Sequence, residues 1–304
     1  YDVYGIDNLS KGVLNNVPRR IIDENKLFIG DLVDSKVARM YFQTIQPDIV
    51  YHLACYPYEA LSQFCPMDVA SSTYMTSVNV FKECINTGVR RVIYFSSAAR
   101  YGNGTVPANE DQPRKPEDVY GISKVASEMV LESMSKTHGL EYVILVPHNV
   151  CGSRMQINDP YRGVLAIWIS CVLQNKTFYV YGNGEQKRAY SHVSDIVEPC
   201  FNAAFSADAK NEIINIGSSK VHTLNDIATL LQTRYGGKFT YIEDTPNAIQ
   251  DLYCTIDKSE RLLNFKDTRG IDEIIDDIIN STNLRGPKKF TYRDLEITRN
   301  VPKS

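Results

Sequence analysis

Short apolar runs recur along the first half of the chain, each ending on a small or polar residue and followed by a stretch of helical periodicity. Residues 1–6 form the first run, closed by Asp7-Asn8, and Leu27-Phe28-Ile29 the next, closed by Gly30-Asp31-Leu32. Residues 49–54, then Val92-Ile93-Tyr94-Phe95 before Ser96-Ser97, then residues 142–146 continue the series. Runs this short and uniformly apolar, rich in β-branched and aromatic residues, predict strands buried on both faces of a parallel sheet. Between them the pattern predicts helices over about 35–45, stopped by Pro47, over about 67–86, stopped by Gly88, and over 119 to about 138. Strands and helices alternating at this spacing predict an α/β fold, a doubly wound parallel sheet covered on both faces. Ligands of such sheets lie beyond the carboxyl ends of the strands. Asp7, Asp31, Ala54, Ser97 and Asn149 all fall just past strand ends, so the rule gathers them along one edge.

From about Cys151 the rhythm loosens. Helices are predicted over about 163–174, 194–205, 224–235, 257–263 and 271–281, strands over 213–216 and near 239–242, and a turn at Gly182-Asn183-Gly184. This reads as a smaller α+β lobe, free to share strands with the first. The expected organisation is a Rossmann-like dinucleotide-binding domain over 1–150, a mainly substrate-binding lobe over 151–285, and a basic, polar extension over 286–304, draped on the surface or partly disordered.

Composition narrows the partners. A formal net charge of -3 and a pI near 6.0 argue against nucleic acid or an anionic membrane as principal partner. The longest apolar run, 164–173, is too short to span a bilayer. Seven scattered cysteines without a C-x-x-C pair, and no secretory signal at the start, predict reduced thiols and a cytoplasmic location. His52, His148 and His192 lack metal-ligand spacing, so no metal is expected. Neither a G-x-S-x-G elbow nor a P-loop is present.

The candidate chemistry centres on Tyr120-Gly121-Ile122-Ser123-Lys124, at the start of a predicted helix, and on Ser97 at a strand end. The i,i+4 spacing puts Tyr120 and Lys124 on one helix face. A nearby ammonium would lower the phenol pKa, and a phenolate can take a proton from an alcohol that Ser97 orients. The spacing by itself is weak, since with 19 tyrosines about one chance match is expected; its helix start and the serine strand lift it. The ordinary alternative makes Tyr120 a packing residue and Ser97 a strand-end cap. Asp7 at a strand end suits a ribose hydroxyl, against an ordinary Asx-turn. Asn149 and Arg188 offer an amide and a guanidinium fork suited to a diphosphate; the alternative for Arg188 is a solvated charge after a hairpin.

Taken jointly, several motifs resemble the extended short-chain dehydrogenase/reductases, and within them the NAD-dependent nucleotide-sugar epimerases and dehydratases of the UDP-glucose (UDP-galactose) 4-epimerase type. They are Asp7-Asn8-Leu9, Gly30-Asp31-Leu32, His52-Leu53-Ala54, Asn79-Val80, Ser96-Ser97-Ala98-Ala99-Arg100-Tyr101-Gly102 and Tyr120-Gly121-Ile122-Ser123-Lys124. Further along come residues 147–152, 159–162 and 181–188. The resemblance implies a bound NAD reused in each turnover, with Ser97, Tyr120 and Lys124 as catalytic residues. It places Asp7, Asn8, Asp31, Leu32, Leu53, Ala54, Asn79, Tyr120, Lys124 and His148 on the cofactor. Ser97, Asn149, Val164, Tyr181 and Arg188 fall on a nucleotide-diphosphate sugar, probed at its 4-hydroxyl through a transient 4-keto sugar. A homodimer through helices at about 67–86 and 119–138 is implied as well.

Three departures stand out. The family's opening strand and glycine-rich phosphate loop do not precede Tyr1, which leads us to expect a piece of a longer chain. The Arg/acid pair that completes nucleotide binding has no counterpart in Pro246-Asn247-Ala248-Ile249, and the gate for an N-acetyl group falls on Leu252 or Tyr253. Ala98-Ala99 stand where 4,6-dehydratases carry an acid/base pair and decarboxylases a glutamate. That last departure favours a 4-epimerase over a 4,6-dehydratase; an NAD(P)-dependent reductase stays as an alternative, and Ser97, Tyr120 and Lys124 together argue against a catalytically silent sugar-nucleotide-binding relative.

Overall fold

A computed structural model describes residues 1–159, 161–243, 249–285 and 295–299. The first half runs β1 (Gly5–Asp7), α1 (Arg19–Asp23), β2 (Leu27–Ile29), α2 (Ser35–Ile45), β3 (Ile49–His52), α3 (Glu59–Ser62), α4 (Pro66–Ala70), α5 (Thr76–Asn86), β4 (Arg91–Phe95), α6 (Val119–His138) and β5 (Glu141–Pro147). The second half carries β6 (Val150–Cys151), α7 (Val164–Leu173), β7 (Thr177–Tyr181), β8 (Lys187–Ala189), β9 (Ser191–His192), α8 (Val193–Phe205) and β10 (Glu212–Ile216). It ends with β11 (Val221–Thr223), α9 (Leu224–Tyr235), β12 (Lys238–Ile242), α10 (Asp257–Leu263) and α11 (Ile271–Arg285).

Local chemistry sets the helix ends. The Asp118 carboxylate caps α6 by accepting from Gly121 N at 2.8 Å, and Gly139 closes it in the left-handed region at φ 75°. Asp34 caps α2 in the same way through Lys36 N, and Gln46 turns the chain left-handed ahead of Pro47. The long helix expected over 67–86 is one helical run, α4 and α5 joined by a π-helical turn at Ser71–Met75.

The central sheet has the order β10-β5-β4-β3, all parallel. Alternation along its strands feeds two cores. Val92, Tyr94, Ile144 and Val146 pack with Phe42, Val80, Phe81 and Leu131 on one face. Ile93, Val143 and Leu145 pack with Ile196, Ala203, Leu263 and Phe265 on the other. β10, α8 and α10 come from beyond residue 150, so the chain returns to finish the sheet; Ile214 and Ile216 are fully buried only in that slot beside β5.

Two expectations fail for one reason, the need of a strand for a ladder partner. Residues 1–4 were expected to be strand, yet pairing with β2 starts at Gly5↔Leu27 and the residues before it are exposed. β1 and β2 form their own parallel pair, not hydrogen-bonded to β3 among the described residues. The turn at Gly182-Asn183-Gly184 does not close a hairpin either, because β7 pairs in parallel with β12 and β8 antiparallel with β11. That removes the hairpin account of Arg188.

The second lobe packs α7, β7, α9, β12 and α11 around Trp168, Phe178, Val180, Ile227, Leu231, Ile274 and Ile278, with Trp168 stacked on Phe178 at 4.7 Å. Of the extension, residues 295–299 are described: the Glu296 carboxylate accepts from Met67 N and Asp68 N at 2.8 and 2.9 Å, capping α4 from outside. Residues 286–294 and 300–304 lie outside the described residues. No described helix is long and apolar enough to cross a membrane.

Candidate active site

β4 ends at Phe95, which delivers Ser96 and Ser97 to the carboxyl edge of the sheet. Ser96 turns inward and donates to the fully buried Glu128 carboxylate of α6. Ser97 stays at the surface of the edge, where its Oγ accepts from Ala99 N at 3.2 Å and opens a short 3-10 turn over Ala98–Tyr101. The first turn of α6 lies hard against that turn. A Cβ on Gly121 would come within 3.1 Å of Ala99 O and of Pro116 Cβ, so glycine is what permits the approach.

This contact brings Tyr120 beside Ser97, whose hydroxyl favours the phenolate. Tyr120 is buried against Ala99, Tyr58, Leu61 and Val69. Lys124 follows one turn later, 1% exposed, with Nζ donating to Phe95 O at 2.6 Å. Its ammonium stands 5.9 Å from the Tyr120 ring centroid and 5.0 Å from that of Tyr94. The three expected catalytic side chains thus meet in one place.

Their electrostatics correct the simple expectation. Lys124 and Ser97 do favour the phenolate, but burial outweighs them and Cys55 and Glu59 add to it, so the Tyr120 phenol is held above its ordinary value. The Lys124 ammonium loses to burial and gains more from Cys55, Tyr94 and Tyr120, and stays charged. Cys55 and Glu59 both lie in the segment after β3, and nothing in their local sequence marks them. The carboxyl-edge rule was the one available signal.

At the adenosine end of the expected cofactor site, Asp7 closes β1. Its Oδ1 accepts from Leu9 N at 2.6 Å, so the Asx-turn is present, and the carboxylate remains exposed. Asn8 Nδ2 donates to Asp31 Oδ2 at 3.1 Å, joining the ends of β1 and β2. Leu53 and Ala54 are exposed past β3, while Leu32 is buried in the core. Asn79 does not face the cleft; its amide donates to Leu32 O and Val33 O at 2.9 and 3.0 Å and braces the loop after β2. His148 is buried after β5 with both ring nitrogens lacking a hydrogen-bond partner among the described residues, and burial lowers it to about 4, so it is neutral. Carboxylates at the β1 and β2 ends, an ammonium at Lys124 and orphaned imidazole nitrogens at His148 form a donor and acceptor set that fits a dinucleotide along this edge.

The expected substrate ligands are less open. Asn149, at φ 37°, donates through Nδ2 to Ala189 O at 2.9 Å. Arg188 turns its fork onto Gln250 O and Ile249 O, each at 2.6 Å, and burial lowers its pKa. Both residues therefore tie β8 to its neighbours in this structure instead of presenting free donors. Tyr181 is exposed at the end of β7, and Val164 packs against the second-lobe core at the start of α7. Leu252 is buried in the first core and bridges to Arg188. Pro246, Asn247 and Ala248 lie outside the described residues.

The sequence profile of the NAD dependent epimerase/dehydratase family matches residues 1–217. The chain belongs to that family. Family members similar to it differ in chemistry. A UDP-glucose 4-epimerase of Mycolicibacterium smegmatis is 27% identical over 241 residues, 78% of this chain and 75% of that protein. A UDP-N-acetyl-alpha-D-glucosaminuronate decarboxylase of Bacillus cytotoxicus is 29% identical over 221 residues, 70% of this chain and 63% of that protein. The crystal structure of a Thermotoga maritima UDP-glucose 4-epimerase with UDP-glucose superposes with a TM-score of 0.85 at 26% identity, covering 92% of this chain and 90% of that one. The family reading makes this an enzyme with NAD as its cofactor and a Rossmann-like α/β fold. The particular activity within the family is a further step.

Proposed function

We propose that the protein is a nucleotide-sugar 4-epimerase of the UDP-glucose/UDP-galactose type, cytoplasmic and homodimeric. One observation carries the choice of reaction: the buried Ala98-Ala99 pair beside Ser97 and Tyr120. Loss of water from C5–C6 needs a base at C5 and an acid for the C6 hydroxyl. Two alanines supply neither, and the carboxyl whose charge Tyr120 feels, Glu59, is a single group for two tasks.

Bound NAD would supply reversible hydride transfer at the sugar carbon and a nicotinamide charge that favours the phenolate. This chain's residues do the rest. Asp7 and Asp31 would accept from the adenosine end, and Lys124 and His148 would hold the nicotinamide end. Ser97 orients the sugar 4-hydroxyl toward the Tyr120 oxygen. Tyr120 takes that proton and later gives it back, and the Lys124 ammonium steadies the charge that develops on the phenol. Asn149 and Arg188 would hold the diphosphate once their present backbone partners are exchanged for it. The similarity to epimerases over most of the chain supports the reading, and seven cysteines with no disulfide among the described residues are in keeping with a reducing compartment.

Incubation with UDP-glucose, followed by NMR, is expected to give UDP-galactose with no net consumption of added NADH. A 4-keto-6-deoxy product would overturn the assignment in favour of a dehydratase. The dimer has its own test. Met67, Met75, Ile122 and Met129 are exposed at 74, 45, 52 and 57% on the paired helices α4–α5 and α6. Ile122→Glu together with Met129→Glu is expected to halve the mass seen by light scattering, and an unchanged mass would place the dimer contact elsewhere.

A further inference from the structure

We propose that Glu128 is a positioning residue for the epimerisation: buried beneath the site, it grips the chain on both sides of Ser97 and so aims the Ser97 hydroxyl. The inference deepens the epimerase reading and rests on it.

Ser97 stands where the sheet stops holding the chain. The register of β4 on β5 ends at Phe95↔Leu145, and Ser96 N donates to Leu145 O at 2.8 Å just beyond it. Glu128 takes over from there. It follows Lys124 by one turn of α6 and Tyr120 by two, so the three share a helix face. Its Oε1 accepts from Ser96 Oγ, on the residue before Ser97. Its Oε2 lies 3.4 Å from Arg100 Nη2, on the third residue after Ser97. The Arg100 backbone closes the turn, with Arg100 N donating to Ser97 O at 3.1 Å and Arg100 O accepting from Lys115 N at 2.7 Å. One carboxylate therefore staples residues 96–100 across the turn in which Ala99 N donates to Ser97 Oγ at 3.2 Å. That bond occupies a lone pair of Oγ and leaves its proton for a ligand oxygen. Arg114 Nε reaches Glu128 Oε2 as well, at 2.9 Å, from the loop before α6. Tyr94 of β4 and Tyr142 of β5 feel the Glu128 charge, and Glu132 lies one turn further along α6.

Chemistry assigns the role. The Glu128 side chain is fully buried and Arg100 is 1% exposed, so neither touches a substrate and the proposed proton transfer uses neither. A buried ion pair adds little net stability over apolar packing of the same volume. What it supplies is direction, because charge-assisted hydrogen bonds are short and geometrically exacting. Direction matters here, since misplacing a reacting group by about 1 Å can cost on the order of 10²-fold in rate.

The test uses the full chain with Ser96→Ala and with Arg100→Met. Each removes one grip and leaves Arg114 on the Glu128 carboxylate, so no buried charge is stranded. Each is expected to lower kcat for UDP-glucose on the order of tenfold, with KM and calorimetric binding little changed and a cooperative melting curve. The pair Arg100→Met, Glu128→Leu, which removes the carboxylate itself, is expected to fold and to be at least as slow. Ser97 favours the Tyr120 phenolate, so in these variants the activity limb that requires phenolate should also move to higher pH. A cycle separates aiming from mere support: in a Ser97→Ala background none of the substitutions should lower kcat further, because the group they aim is gone. Full kcat in the variants, or losses that recur undiminished in the Ser97→Ala background, would overturn the role of Glu128 alone. Absence of UDP-glucose turnover by the wild type would overturn the epimerase reading, and this inference with it.

Discussion

Tyr120→Phe is expected to lower turnover of UDP-glucose by about 10²–10⁴, the usual contribution of a positioned acid or base, with binding of the nucleotide sugar and thermal stability little changed. The substitution removes one oxygen. The ring keeps its packing against Ala99, Tyr58 and Leu61, and Ser97 keeps its bond to Ala99 N. What goes is the atom between Ser97 and the substrate hydroxyl. Turnover by a coupled assay, binding by calorimetry and a melting curve check this together, and a variant that retains full turnover would remove Tyr120 from the mechanism. Lys124→Met makes a linked prediction with a sign. Lys124 pulls the phenol down against burial, Cys55 and Glu59. Without it the phenol rises further, so the activity limb that requires phenolate should move to higher pH.

Glu128→Ala is expected to cost about 3–5 kcal/mol of stability, as when one partner of a buried ion pair is removed. The Glu128 side chain is fully buried and Arg100 is 1% exposed. Arg100 Nη2 lies 3.4 Å from Glu128 Oε2, and Arg114 Nε approaches the same oxygen to 2.9 Å. Ser96 donates to the other carboxylate oxygen. Deleting the carboxylate strands a buried guanidinium and unpins the Ser96-Ser97 end of β4 from α6. Urea unfolding measures the loss. The double variant Arg100→Met, Glu128→Leu should recover most of it, because it strands no charge. A single variant that loses less than about 1 kcal/mol would mean that water reaches Arg100 and satisfies it.

The proposed catalytic group was legible because its determinants are local. Ser97 ends an apolar run, and Tyr120 and Lys124 share a helix face whose start is written in Asp118 and whose end is written in Gly139. The proposed diphosphate ligands were less so. Arg188 was singled out for its fork, but where the fork points depends on Ile249 and Gln250, some 60 residues on, which no local pattern reveals. Asn79 shows the same limit, since its motif gave its presence and only packing showed that it braces the loop at Leu32 and Val33.

The sequence by itself determined the alternation of strands and helices, the ends of α2 and α6, and the meeting of Ser97, Tyr120 and Lys124 at the carboxyl edge. Periodicity and capping act over a few residues, so they can be read in one dimension. The tertiary structure alone decided that β10, α8 and α10 complete the first sheet, and that the Tyr120 phenol lies above its ordinary value despite Lys124. Strand pairing, charge coupling and desolvation depend on what is brought alongside from far along the chain, and that is set only when the chain has packed.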